Sequence, residues 1–242
     1  MGSPYGAAFY RSIAPESLRA AGLIAPLLAP LRVASVVDFG CGTGTWLQAF
    51  RAQGASIVHG IDQFDPRGVA LAIRPEEYQR ADLTGELRLP REYDLAISLE
   101  VGEHIPPAAS RTLVRNLAAA SRRVLFSAAT PGQGGVHHVN ERPLAEWVAL
   151  FAECGYAASD FVRALIAERG IRVEPWYRFN TLFFYRDVEV PPLVAQHAVR
   201  DPRELARHVT LGWRLRSALI GMLPVGAVTF LANCKHRLRG GG

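Results

Sequence analysis

Lysine and cysteine are nearly missing from this chain. Of 27 basic residues among 242 only Lys235 is a lysine, and the three cysteines stand at 41, 154 and 234 with no C-x-x-C spacing. An odd, widely spaced cysteine set excludes a disulfide framework and a structural zinc site, and fits a reducing cytoplasm. The formal charge of +5 is carried by arginines dispersed along the sequence, which argues against nucleic acid as a partner. No basic segment followed by an apolar core opens the chain, so no secretory signal is expected, and Gly6 breaks the myristoylation pattern. The uncharged stretch 217–232 is about 16 residues long with Pro224 inside it, short of the ~20 that span a bilayer. No repeat or low-complexity tract occurs, so disorder is local at most.

What is present is a large apolar fraction, 49%, sufficient for one sizeable core. Pro15-Glu16-Ser17 reads as a helix start, with the helix closing at Pro30. Apolar strand-like runs then alternate with helical stretches: 33–39, 56–62, 93–99 and 122–128 as strands, and TWLQAFRAQG, PPAASRTLVRNLAAAS and PLAEWVALFAECG as helices. This alternation predicts an α/β fold with a doubly wound, mostly parallel sheet. YAASDFVRAL and FNTLFFYR (179–186) both read as strands joined by a short link, a pair able to close the sheet as an antiparallel hairpin. Residues 1–190 form the expected main domain. Residues 191–242 are a basic, helical appendage that packs on the sheet domain or a second subunit, or lies on a membrane surface.

The most informative string is VVDFGCGTGTW (36–46), an apolar strand ending at Asp38 that enters a helix through Gly40, Gly42 and Gly44. A dinucleotide site would place its third glycine at 45, where this chain has Thr45. The residues instead resemble the class I S-adenosylmethionine-dependent methyltransferases over about Val33 to Arg186. That resemblance implies a seven-stranded sheet. It also implies a cofactor site made by Asp38, Gly40, Cys41, Gly42, Asp62, Gln63, Asp82, Leu83 and Glu100. Asp62, in GID, would hold the ribose hydroxyls, since vicinal hydroxyls donate well to two carboxylate oxygens. Asp82 and the Leu83 backbone, in ADL, would meet adenine.

SLEVGEHIPP (98–107) sets Glu100, Glu103 and His104 at i, i+3 and i+4, one face of a helical turn. Two carboxylates and an imidazole so close suit Mg²⁺ or Mn²⁺. The string is similar to the metal-binding ExxEH of small-RNA 2′-O-methyltransferases and ubiquinone-pathway O-methyltransferases; the RNA enzymes add a histidine beyond the fifth strand. TPGQGGVHHVNERP (130–143) supplies His137 and His138, with His138 preferred as fourth ligand. The alternative keeps Glu100 on the cofactor side, with Glu103 and His104 as packing residues.

The expected reaction is methyl transfer to a hydroxyl of a small molecule, a sugar or natural product, assisted by a cation. A metal-free route would use His104, His137 or His138 as catalytic residues, with His137 or His138 as general base and an amine or hydroxyl as acceptor. A cofactor-binding regulatory or membrane-surface protein is the reading from another class. The loop also resembles a bacterial subgroup of these enzymes associated with biosynthetic clusters. Trp176, Tyr177, Phe179 and Asn180 are candidates for the acceptor pocket or for the core.

Overall fold

The computed structural model describes residues 7–223; the apolar end of the 217–232 stretch, Cys234 and Lys235 lie outside them. Helix α1 (Ala7–Ile24) leads through a 3-10 turn (Ala25–Leu31) into β1 (Ser35–Phe39), α2 (Thr45–Ala52), β2 (Ile57–Asp62), β3 (Tyr78–Arg80) and β4 (Leu95–Leu99). Then follow α3 (Ser110–Ala120), β5 (Arg123–Ser127), α4 (Leu144–Ala152), β6 (Ala157–Ser159), α5 (Phe161–Glu168), α6 (Pro175–Asn180) and β7 (Leu182–Tyr185). The strand order is β3-β2-β1-β4-β5-β7-β6, with β7 antiparallel to both neighbours and the other pairings parallel.

Every residue of β1 and of β4 is buried, as expected for central strands covered by helices on both faces, and this makes them continuous apolar runs. One face packs on α1, α2 and α5 through Leu47, Phe50, Phe161 and Ile166. The other packs on α3 and α4, where Phe151 stacks on Phe184 at 3.9 Å and Phe126 meets Trp147 at 4.8 Å. Full burial of each such side chain stabilises the fold by about 1.5–3 kcal/mol. The order reverses between β1 and β4, so their carboxyl ends open the crevice where ligands bind in this architecture.

Three local expectations are corrected. The first helix begins at Ala7, with Pro15 inside it; Tyr10 packs on Phe64, beside Phe9 and Ile13, so tertiary contact overrides the local start signal. The segment FVRAL is helix α5, because Phe161, Val162, Leu165 and Ile166 bury one face at helical spacing. The link between β6 and β7 therefore holds two helices. Strand β3 is three polar edge residues, YQR, which carry no apolar signal.

Beyond β7 the chain is helical as far as it is described: α7 (Pro192–Gln196), a 3-10 turn (Pro202–Ala206) and α8 (Leu211–Gly221). Arg163, fully buried, pairs with Asp160 at 2.5 and 2.8 Å and donates to the Phe179 and Leu205 carbonyls at 2.5 and 2.7 Å. It ties α5, α6 and the C-terminal segment together. Among the described residues no helix is long and apolar enough to cross a membrane.

Candidate active site

A cavity of 420 Å³ opens at the carboxyl ends of β1, β2 and β4. Its first wall is main chain. Gly40 and Cys41 donate to the Ile61 carbonyl at 2.7 and 3.2 Å, locking the glycine loop against β2. Gly40 has φ +89°, and a Cβ there would lie 2.3 Å from Val101 Cγ2, so only glycine fits. Asp62 accepts from the Gly42 and Phe64 amides at 2.7 and 2.9 Å. Burial raises its carboxyl pKa, opposed by those amides and by the Tyr10 hydroxyl. Gly40, Cys41, Gly42, Asp62, Gln63, Asp82 and Leu83 all line the cavity. Asp82 is exposed and accepts from Thr84 N and Oγ1 at 2.9 and 2.8 Å. Asp38 does not line it; 3% exposed at the end of β1, it is pushed well up in pKa by burial and then by Asp62.

The second wall is side chains on loops. Glu100 to His104 forms a turn closed by His104 N–H to the Val101 carbonyl at 2.9 Å, with Glu100 at φ +56°. No helix forms there, although the Glu100 and Glu103 carboxyls still lie side by side. Instead Glu103, His104 and His138 converge, with one donor atom from each within 4.8 Å of the others. Glu100 stands outside that trio. Its Oε2 accepts from Gln133 at 3.0 Å, and Gln133 Oε1 accepts from Asn180 at 2.7 Å. Glu103 is 1% exposed, and Glu103 Oε2 and Glu100 Oε1 are buried with no hydrogen-bond partner. Burial first, and Glu100 second, push the Glu103 carboxyl well above its ordinary range. Burial, with His138 beside it, takes His104 down to about 4.

The loop after β5 is stapled to this turn. The Glu103 carbonyl accepts from Val139 N and Asn140 N at 2.9 and 3.1 Å, and Asn140 Nδ2 donates to Gly102 O and Ser110 Oγ at 2.9 Å each. Glu141 organises the loop from inside, accepting from Gly132 N and Gly134 N at 2.9 Å each and lying 2.8 Å from His138 Nδ1. An ionised carboxylate only accepts, so that contact places a proton on His138 Nδ1 and turns Nε2 away from Glu141. His137 does not line the cavity; its carbonyl lies 3.3 Å from His104 Nδ1. Trp176 and Tyr177 line the cavity, Tyr177 also packing into the core, whereas Phe179 and Asn180 line a neighbouring cavity under α8.

Sequence reasoning misses Tyr10, Gln133 and Glu141. A glutamate three residues after a histidine in a glycine-rich loop is the available signal for Glu141.

Residues 10–171 match the family model described as a methyltransferase domain. Over half of the chain is covered, and it belongs to that family: a class I S-adenosylmethionine-dependent methyltransferase. No curated protein matches the sequence. Among solved structures, the sugar N-methyltransferase KedS8 from Streptoalloteichus sp. ATCC 53650 superposes with a TM-score of 0.55 at 14% identity, covering 77% of this chain and 95% of that one. Magnesium protoporphyrin IX methyltransferase from Synechocystis PCC 6803, solved with bound S-adenosylhomocysteine, gives 0.51 at 18%, covering 73% and 86%. A protein of Nostoc punctiforme PCC 73102 assigned as an O-methyltransferase gives 0.54 at 16%, covering 74% of this chain. The chain spans 59% of that protein's length. At these identities the likeness establishes the fold.

Proposed function

We propose that this enzyme transfers a methyl group from S-adenosylmethionine to a hydroxyl of a small molecule, with Glu103, His104 and His138 holding a divalent cation. The convergence of those three donors at the cavity carries the reading. The residues fit both groups. A cavity of 420 Å³ bounded by a glycine loop and carboxylates suits a nucleoside-sized cofactor, and the buried Glu103 carboxyl, crowded by that of Glu100, suits a cation. Two imidazoles with one carboxylate favour Mn²⁺, Fe²⁺ or Zn²⁺ over Mg²⁺, which prefers oxygen donors.

When bound, the cofactor supplies an electrophilic methyl and the cation the Lewis acidity that lowers a hydroxyl pKa. The chain's own residues do the positioning. Asp62 takes the ribose hydroxyls in place of the Tyr10 hydroxyl while keeping the Gly42 and Phe64 amides. Asp82 and the Leu83 backbone face adenine. Glu100, through Oε1, takes the methionine ammonium. Tyr177, Trp176 and Ile105 form an apolar wall for the acceptor. Holding nucleophile and methyl in line supplies most of the acceleration.

A second reading rests on the 2.8 Å contact between Glu141 and His138. A carboxylate behind an imidazole orients the ring, and His138 Nε2 would then take the acceptor proton without a cation. Turnover of a panel of vicinal diols, catechols and amino sugars, with and without chelator, separates the two. Products on hydroxyl acceptors that vanish in EDTA and return with Mn²⁺ support the first reading; turnover retained in EDTA overturns it.

A further inference from the structure

The charge of this protein is unevenly placed. Six of its 27 basic residues and none of its 22 acidic ones fall after Glu204, so residues 205–242 carry +6 and residues 1–204 carry −1. Within that segment α8 shows two unlike faces. Its inner side sits on the active-site loop: Arg216 donates to the Gln133 carbonyl at 3.0 Å and Trp213 meets Phe179 at 5.3 Å. Gly132 is pressed so closely to the helix that a Cβ there would lie 2.0 Å from the Ser217 carbonyl oxygen. The outer side exposes Leu211, Leu215, Leu219 and Met222 at 69, 57, 67 and 81%. These recur at helical spacing as one apolar stripe, unlike the scattered single leucines of an ordinary surface.

We infer that the outer face of α8 docks on an anionic lipid surface. An exposed apolar helix face within a segment of +6 is the pairing of surfaces that an anionic interface takes up. The sequence after α8 continues it, with apolar residues and then Lys235, Arg237 and Arg239. A second copy of the same face would bring two segments of +6 together, and like charges oppose that pairing. An anionic bilayer attracts the arginines and accepts the leucines at once. A nucleic acid would use the cations and leave the stripe in water. The inner side of α8 rests on the loop that carries Gln133, so docking there sets the bilayer on the far side of that helix from the active-site loop. The inference is independent of the cation proposed above.

Flotation of the full-length protein with vesicles tests it. Vesicles of about 40% phosphatidylglycerol in phosphatidylcholine are expected to carry about tenfold more protein than phosphatidylcholine alone. Raising NaCl from about 0.1 to about 0.5 M should remove most of that excess. The double variant Leu215→Ser/Leu219→Ser should lower binding about tenfold, with circular dichroism and S-adenosylhomocysteine affinity unchanged. Arg237→Gln/Arg239→Gln should lower it on the anionic vesicles alone. No enrichment on anionic vesicles overturns the inference, and so does binding unchanged by the serine substitutions. A dimer that the serine variant dissolves, without vesicle binding, would assign the face to a second copy. Duplex binding indifferent to both serines, without vesicle binding, would assign it to nucleic acid.

Discussion

The two walls of the cavity are built by opposite means. On the side proposed for the cofactor the contacts are main-chain amides and one carboxylate at the ends of β1 and β2, with partners separated by a short stretch of chain, as in Gly42 to Asp62. On the acceptor side the contacts are side chains on loops, held by partners far away in sequence: Gln133 with Glu100, Asn180 and the carbonyl grip of Arg216. The first wall is rigid because sheet and glycine loop leave the backbone no alternative. The second is held by a network of side-chain hydrogen bonds, whose members can change without disturbing the sheet. Binding of the cofactor and choice of acceptor are therefore expected to separate except at Glu100, which the proposed function gives to the cofactor and Gln133 ties to the second wall.

Breaking what both walls stand on should have the largest effect. Arg163 is buried and charge-paired, so Arg163→Ala is expected to cost about 3–5 kcal/mol of stability, read as a lowered urea midpoint with both binding functions lost together. A next test strikes the first wall alone. Gly40→Ala should weaken S-adenosylhomocysteine binding about 10–100-fold by calorimetry, since the positive φ and the Val101 contact demand a local shift of about 1–3 kcal/mol. Native cofactor affinity in that variant would contradict the first wall's rigidity. The most local test sharpens the second wall. Glu141→Gln should reduce Mn²⁺ affinity about 10–100-fold, the usual range for a partner behind a ligating histidine, while leaving cofactor affinity unchanged.

The same division governs how much of the molecule is legible in its sequence. The glycine loop, Asp62 and the central strands are legible because burial on both faces writes itself as apolar runs and because the motif is local. The family match over residues 10–171 bears out the class, and the strand order bears out the doubly wound sheet with its antiparallel closure. Helix α5 reads wrongly as a strand because Phe-Val-x-Ala-Leu is as apolar and β-branched as a short strand, and periodicity over so few residues does not separate the two. The early start of α1 depends on Tyr10 finding Phe64, more than fifty residues away. Glu141 resembles an ordinary loop charge, since nothing in its own neighbourhood tells that its carboxylate turns inward to two glycine amides and an imidazole. His138 is expected from the loop and the family resemblance, but its grouping with Glu103 and His104 rather than with Glu100 depends on the turn at 100–104, where Glu100 takes a left-handed backbone.

The proposed cation site is tested most directly by a Mn²⁺ titration of the S-adenosylhomocysteine-bound protein, followed by electron paramagnetic resonance, with Glu103→Ala alongside. One tightly bound Mn²⁺ per chain is expected, abolished in the variant while the cofactor stays bound. Free Mn²⁺ signal throughout, with the cofactor demonstrably in place, would contradict the cation site and leave His138 with Glu141 as the proton acceptor.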